Sequence, residues 1–102
     1  MKKIVNGKKY DTETAKFCGY QENMYDSGNF YWNAETLYRK KTGDFFLYGE
    51  SGPAGKYSVS CGLNSWSGGK AIVPLAEKEA RKWAETYLDG EDYEKIFGEV
   101  EE

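Results

Sequence analysis

The chain has no histidine. That absence removes the usual general base near neutral pH, the Ser-His and Cys-His nucleophile pairs, and the commonest metal ligand. Cysteine is nearly absent too: Cys18 and Cys61 are the only two, too few for a tetrahedral zinc set without histidine. With no export signal in view they read as free thiols rather than a disulfide. Cys61, in the run SVSCGLNSW, has no activating base beside it and reads as a small buried thiol. No apolar run is long enough to span a bilayer. Met1–Val5 is followed at once by Asn6-Gly7-Lys8-Lys9 where a signal peptide would have its apolar region. The expectation is a non-enzymatic, cytoplasmic protein without cofactor, bound metal or membrane role.

What the chain does have is aromatic side chains. Nine Tyr, five Phe and three Trp make up 17% of its 102 residues. A single domain over residues 1–102, with one modest aromatic-rich core, follows from that length and composition. Charge is unevenly spread. Residues 1–76 hold ten Lys/Arg against seven Asp/Glu, residues 77–102 four against ten, so +3 is followed by −6. An acidic tail of that size argues against a general nucleic-acid binder but leaves room for a local basic face.

The strongest local signal is a β-hairpin. Thr36-Leu37-Tyr38 and Phe45-Phe46-Leu47-Tyr48 flank Lys40-Lys41-Thr42-Gly43-Asp44, with Gly43 as a left-handed bulge residue after a type I turn. The register predicted is Arg39 with Phe45, Tyr38 with Phe46 and Leu37 with Leu47. Upstream, Asn6-Gly7 is the preferred two-residue turn for a hairpin across Lys2–Tyr10. The segment from Thr12 to Cys18 reads as one or two helical turns, Gly19–Asn29 as a loop, and Phe30–Lys40 as one long strand kinked near Asn33-Ala34. Downstream, Tyr57–Cys61 is a short strand, Gly62–Gly69 an irregular loop holding Trp66, and Lys70–Pro74 the last strand. Ala80, Trp83, Ala84, Tyr87 and Leu88 form one helical stripe. A second short helix ends at Gly98, its Tyr93, Ile96 and Phe97 on one face as a lid on the core. Strands first and helices last predict an α+β domain: an antiparallel sheet of four to five strands with a C-terminal helix pair packed on one face.

Two chemical motifs fail on spacing, and a third has a simpler reading. GESGPAGKYS, residues 49–58, imitates a phosphate-binding loop, but five residues rather than four precede Gly55-Lys56, and Tyr57 stands where Ser or Thr is needed. Asp89, Glu91, Asp92 and Glu94 lack the alternation of a calcium loop and read as a first-turn acidic bias. Tyr31, Trp32 and Tyr38 with Arg39, Lys40 and Lys41 could stack single-stranded nucleic acid, although core rings beside a solvated hairpin tip account for them more simply. What remains is a surface. Tyr20, Tyr25, Phe30, Tyr31 and Trp66 lie in or beside predicted loops, where they either contact a partner or fold over the sheet edges. The candidate partner-binding set is Tyr31, Trp32, Glu50, Ser51, Lys56, Trp66 and Lys70. Its centre is Trp66, carried on the 49–56 and 62–70 loops.

Three long stretches carry a family resemblance: KKIVNGKKYDTETA (residues 2–15), LYRKKTGDFFLYGESGPAGKY (residues 37–57) and the run from Cys61 to the closing IFGEVEE. In these the chain resembles a family of small proteins from phages, plasmids and integrative elements of gut Firmicutes. Ala76 departs from the Ser or Thr often found at that helix cap. Because such elements are rich in counter-defence genes, the resemblance implies an anti-CRISPR-like inhibitor. The partner would be a host defence protein of the CRISPR effector nuclease kind, met in the cytoplasm of the bacterial host. The alternative from a different class is a single-stranded nucleic-acid-binding accessory protein of the element.

Overall fold

Gly43 turns the central hairpin as its sequence predicts. Its N–H donates to Lys40 C=O at 2.9 Å, Lys40 N–H donates to Asp44 C=O at 2.8 Å, and Gly43 takes φ +96°. The strands so joined, β4 (Asn33–Arg39) and β5 (Phe45–Ser51) in the numbering used from here on, pair in the predicted register. The computed structural model describes all residues, 1–102. Before this hairpin come β1 (Lys2–Val5), β2 (Lys8–Asp11) and β3 (Lys16–Glu22). After it come β6 (Val59–Gly62), β7 (Ser65–Ser67), β8 (Gly69–Leu75), α1 (Glu77–Tyr87) and α2 (Gly90–Phe97). The main sheet is antiparallel with order β3-β4-β5-β8, while β1-β2 and β6-β7 are separate hairpins. The class is α+β, and no helix is long and apolar enough to cross a membrane.

Four local expectations are corrected. The segment from Thr12 to Cys18 is not helical. After a tight turn closed by Ala15 N–H on Asp11 C=O, it enters β3 at Lys16. A register shift between Phe17 and Gly19 breaks the two-residue alternation by which a strand is recognised. Gly19 is part of this strand and not of a loop, because α1's end needs the space. A Cβ at Gly19 would stand 2.8 Å from Leu88 Cδ1. The strand expected from Phe30 starts instead at Asn33, since Asn29 holds a turn by accepting Tyr31 N–H on its side chain and Trp32 N–H on its carbonyl. The segment expected as an irregular loop at 62–69 instead closes a small hairpin, β6-β7 over residues 59–67 with Asn64 at φ +59°, and Cys61 at its bulge is exposed rather than buried.

Two apolar layers hold the sheet. On one face Leu37, Phe45 and Leu47 meet Ala80, Trp83 and Ala84 of α1, with Leu88, Tyr93, Ile96 and Phe97 closing the edge. The Tyr93–Ile96–Phe97 lid is therefore in place. Tyr87, expected in the buried stripe, is 48% exposed and packs against Trp83 at 5.3 Å between centroids. On the other face Tyr10, brought by the β1-β2 hairpin, sets its ring edge-on to Phe46 at 5.4 Å and covers Ile72. The turn that delivers it has Asn6 at φ +51° and Gly7 at φ +79°, as an Asn-Gly turn requires. The helices are fastened locally. Glu79 accepts Ala76 N–H at 2.9 Å although Ala76 has no side-chain oxygen to return the bond. Asp89 caps α2 through Asp92 N–H at 2.8 Å.

Candidate functional site

Register fixes which side chains share the face opposite the helices. Three rows cross it: Phe17, Tyr38, Phe46, Pro74; then Tyr20, Thr36, Tyr48, Ile72; then Glu22, Ala34, Glu50, Lys70. The β1-β2 hairpin covers Phe46 and Ile72 and packs against Tyr38 and Tyr48 of the first two rows, leaving β3 uncovered. Phe17 and Tyr20, on edge strand β3, stay 58% and 46% exposed. This half-open face is thus aromatic in its middle, and at its far end it carries Glu22 and Glu50 with Lys70 in register beside Glu50.

The two carboxylates at that end are held by ring donors. Glu22 Oε2 accepts from Trp32 Nε1–H at 3.0 Å and from Tyr20 O–H at 3.1 Å. Glu50 Oε1 accepts from Tyr48 O–H at 3.4 Å. Glu22 Oε1 and Glu50 Oε2 have no partner within the chain, and no Lys or Arg pairs with either residue. With one strand between them the two carboxylates stand roughly 10 Å apart. Partial burial pushes the Tyr20 and Tyr48 phenols above their ordinary range, and the neighbouring carboxylates Glu22 and Glu50 push them further. Both phenols therefore remain donors through neutral pH. Trp32 is buried, so its indole is a fixed strut and not a loose loop side chain.

On the helix side a third carboxylate has the opposite fate. Glu35 is 3% exposed and accepts four bonds: from Gln21 Nε2 at 2.9 Å, Lys56 Nζ at 3.0 Å, Trp83 Nε1 at 3.0 Å and the Tyr57 hydroxyl. Burial raises the proton affinity of Glu35, but the four donors together outweigh it and hold the carboxyl below its usual range. The Tyr57 phenol is pushed well up, by burial first and then by Glu35. Gly49 makes the arrangement possible, since a Cβ there would lie 2.0 Å from Tyr57 Cζ. The Glu35 cluster ties β3, β4, the 52–58 loop and α1 together. Every acceptor site it offers is filled, so it is a fastening and not a site for a ligand.

The structure sorts the seven candidate partner-binding residues. Trp32, Glu50, Ser51 and Lys70 line one recess of about 340 Å³. The two loops meet there, a Cβ at Gly68 falling 2.7 Å from Ser51 C=O. Lys70 faces Glu50 across the β5-β8 pair. Within this group Ser51 is buried, its Oγ accepting Tyr57 N–H at 2.9 Å and donating to Gly52 C=O at 3.1 Å. Lys56 lies apart, on the Glu35 carboxylate. Tyr31 is exposed beside Tyr25, ring centroids 5.6 Å apart. Trp66 is 59% exposed on β7, outside the recess its loop helps to form. Reading the sequence missed Tyr48 and Glu22, and it placed Tyr20 in a loop. The alternation of β5 carried the signal for Tyr48, since it puts Tyr48 and Glu50 on one face. Comparison with family models, with curated proteins and with solved structures gave no match.

Proposed function

We propose that this chain is a non-enzymatic inhibitor made by a phage or mobile element, which binds a host defence protein of the CRISPR effector nuclease kind. The observation that carries the binding part is the pair of unpaired carboxylates, Glu22 and Glu50, braced by Trp32, Tyr20 and Tyr48 on a half-open sheet face. A carboxylate already oriented by ring donors loses little freedom on meeting a cation. Two of them at fixed separation fit a surface whose Lys and Arg side chains are placed to take nucleic-acid phosphates. Exposed Tyr20 adds the rigid aromatic area on which protein interfaces concentrate their affinity. The target class comes from the resemblance of residues 2–15, 37–57 and 61–102 to small mobile-element proteins. Inhibition would be competitive, the two carboxylates occupying cations that DNA must reach.

DNA cleavage by purified CRISPR effector nucleases, measured against increasing amounts of this protein, tests the reading. The expected result is inhibition that weakens as salt or DNA concentration rises, and that is lost in the Glu22→Gln/Glu50→Gln double variant. Inhibition insensitive to both salt and DNA, or retained in full by the double variant, would overturn the competitive mechanism.

The alternative nucleic-acid reading of Tyr31, Trp32 and Tyr38 with Arg39–Lys41 does not assemble. Trp32 precedes β4 and Arg39 ends it, so they stand roughly 20 Å apart. Trp32 is also buried and bonded to Glu22.

A further inference from the structure

The end of the sheet opposite Glu22 and Glu50 carries the reverse charge. Three recesses run into one another there. The first lies between the β1-β2 hairpin and the Lys40–Gly43 turn and is lined by Lys9, Lys40 and Lys41. The second continues past Thr14 and Ala15 to Lys16 and Arg39. The third lies round the edge of β3, with Lys16, Arg39 and Lys95 of α2 on the helix side and Phe17 turning to the opposite face. Six cations thus line a continuous groove, and Asp11 is the only carboxylate in its walls. Asp11 Oδ1 is taken by Glu13 N–H. Lys40 and Lys95 have carboxylate neighbours, Asp44 at 4.0 Å and Asp92 at 3.7 Å. Lys9, Lys16, Arg39 and Lys41 have none. A chain with three more acidic than basic residues had carboxylates available to neutralise this groove, and the fold places them elsewhere.

We propose that the groove binds single-stranded nucleic acid, its backbone running along Lys9, Lys41, Lys16 and Arg39 and a base stacking on Phe17. A row of unpaired cations is the complement of a linear polyanion rather than of a single phosphate. Phe17 stands where the row ends, 58% exposed, its ring held edge-on against Tyr38 at 6.4 Å. A fixed, exposed ring beside a cationic track is the arrangement that takes unpaired bases whatever their sequence. A duplex offers no free base to Phe17. This site is independent of the one proposed for the nuclease. Lys16 and Glu22 close opposite ends of the seven-residue β3, so each can fail without the other.

Fluorescence anisotropy of a labelled twelve-residue oligo-dT or oligo-U tests the proposal, run over a salt series with the intact protein. Binding is expected at low salt and should weaken along a log–log slope of about −0.7 for each phosphate neutralised. The Lys16→Ala/Arg39→Ala/Lys41→Ala variant, altered only at exposed side chains, should lower that slope by about 2 units in magnitude. Phe17→Leu should weaken binding about tenfold and leave the slope alone. Glu22→Gln/Glu50→Gln should bind at least as well as wild type, which separates this site from the anionic one. No binding at low salt would overturn the proposal, as would equal binding by the triple variant with its circular dichroism unchanged. Equal affinity for duplex DNA, or for anionic phospholipid vesicles, would show a general polyanion patch and overturn it equally.

Discussion

Glu35 and Glu22 face opposite sides of one sheet, one strand apart, and each accepts an indole N–H and a tyrosine O–H. Their surroundings then diverge. Glu35 receives two further donors and is sealed under α1, whereas Glu22 keeps a free oxygen at the open end of the sheet. Glu50 repeats the open pattern with one phenol donor. The difference teaches that a hydrogen-bonded carboxylate is no sign of function in itself. A saturated one fastens elements that are distant in sequence, while an unsaturated one at the surface leaves an oriented lone pair open to solvent.

The largest break in this comparison is Glu35→Ala. It orphans the Tyr57 hydroxyl and the Trp83 N–H, both buried, and should cost about 3–5 kcal/mol in denaturant unfolding. Next comes Gly49→Ala, whose new Cβ displaces the Tyr57 ring from Glu35. It should cost about 1–3 kcal/mol and expose Tyr57 to solvent, seen as a changed near-ultraviolet circular dichroism band.

Acid offers a reversible version of the first break. The four donors hold the Glu35 carboxyl below the usual glutamate range in the folded chain, so the folded state favours the charged form. The stability this provides is complete above pH about 4.5 and is lost as pH falls through the lowered folded value. Unfolding measured between pH 6 and 3 should therefore show wild type losing its margin over Glu35→Gln.

On the open side the expected stability effects are small. Trp66→Ala removes a ring that is mostly exposed on β7 and should change stability by less than about 0.5 kcal/mol.

How much of this was legible before folding depends on alternation. Gly43 and the apolar runs on either side of it set the β4-β5 register without ambiguity, and the α1 stripe was readable at Ala80, Trp83 and Ala84. β3 was not readable, because the bulge between Phe17 and Gly19 interrupts its period and Asp11–Thr14 resembles a helix cap. That one failure hid the candidate site. Tyr20 and Glu22 read as loop residues, so nothing in the sequence brought Glu22 into one row with Glu50. Glu35 was half legible, since alternation places it on the face of Leu37 and so toward the core. Its donors come from positions 21, 56, 57 and 83, and no local pattern connects those four.

The account turns on Glu22 and Glu50 serving a partner rather than the fold. The direct test compares Glu22→Gln/Glu50→Gln with wild type for two quantities in the same preparations: the melting temperature, and the yield of protein captured from a bacterial lysate and identified by mass spectrometry. Glutamine keeps an acceptor oxygen for Trp32, Tyr20 and Tyr48 while removing both charges, so the melting temperature should stay within about 2 °C of wild type. Capture of a basic, nucleic-acid-handling protein should fall at least tenfold. A drop in melting temperature comparable to that of Glu35→Ala, or undiminished capture by a double variant that melts like wild type, would contradict it.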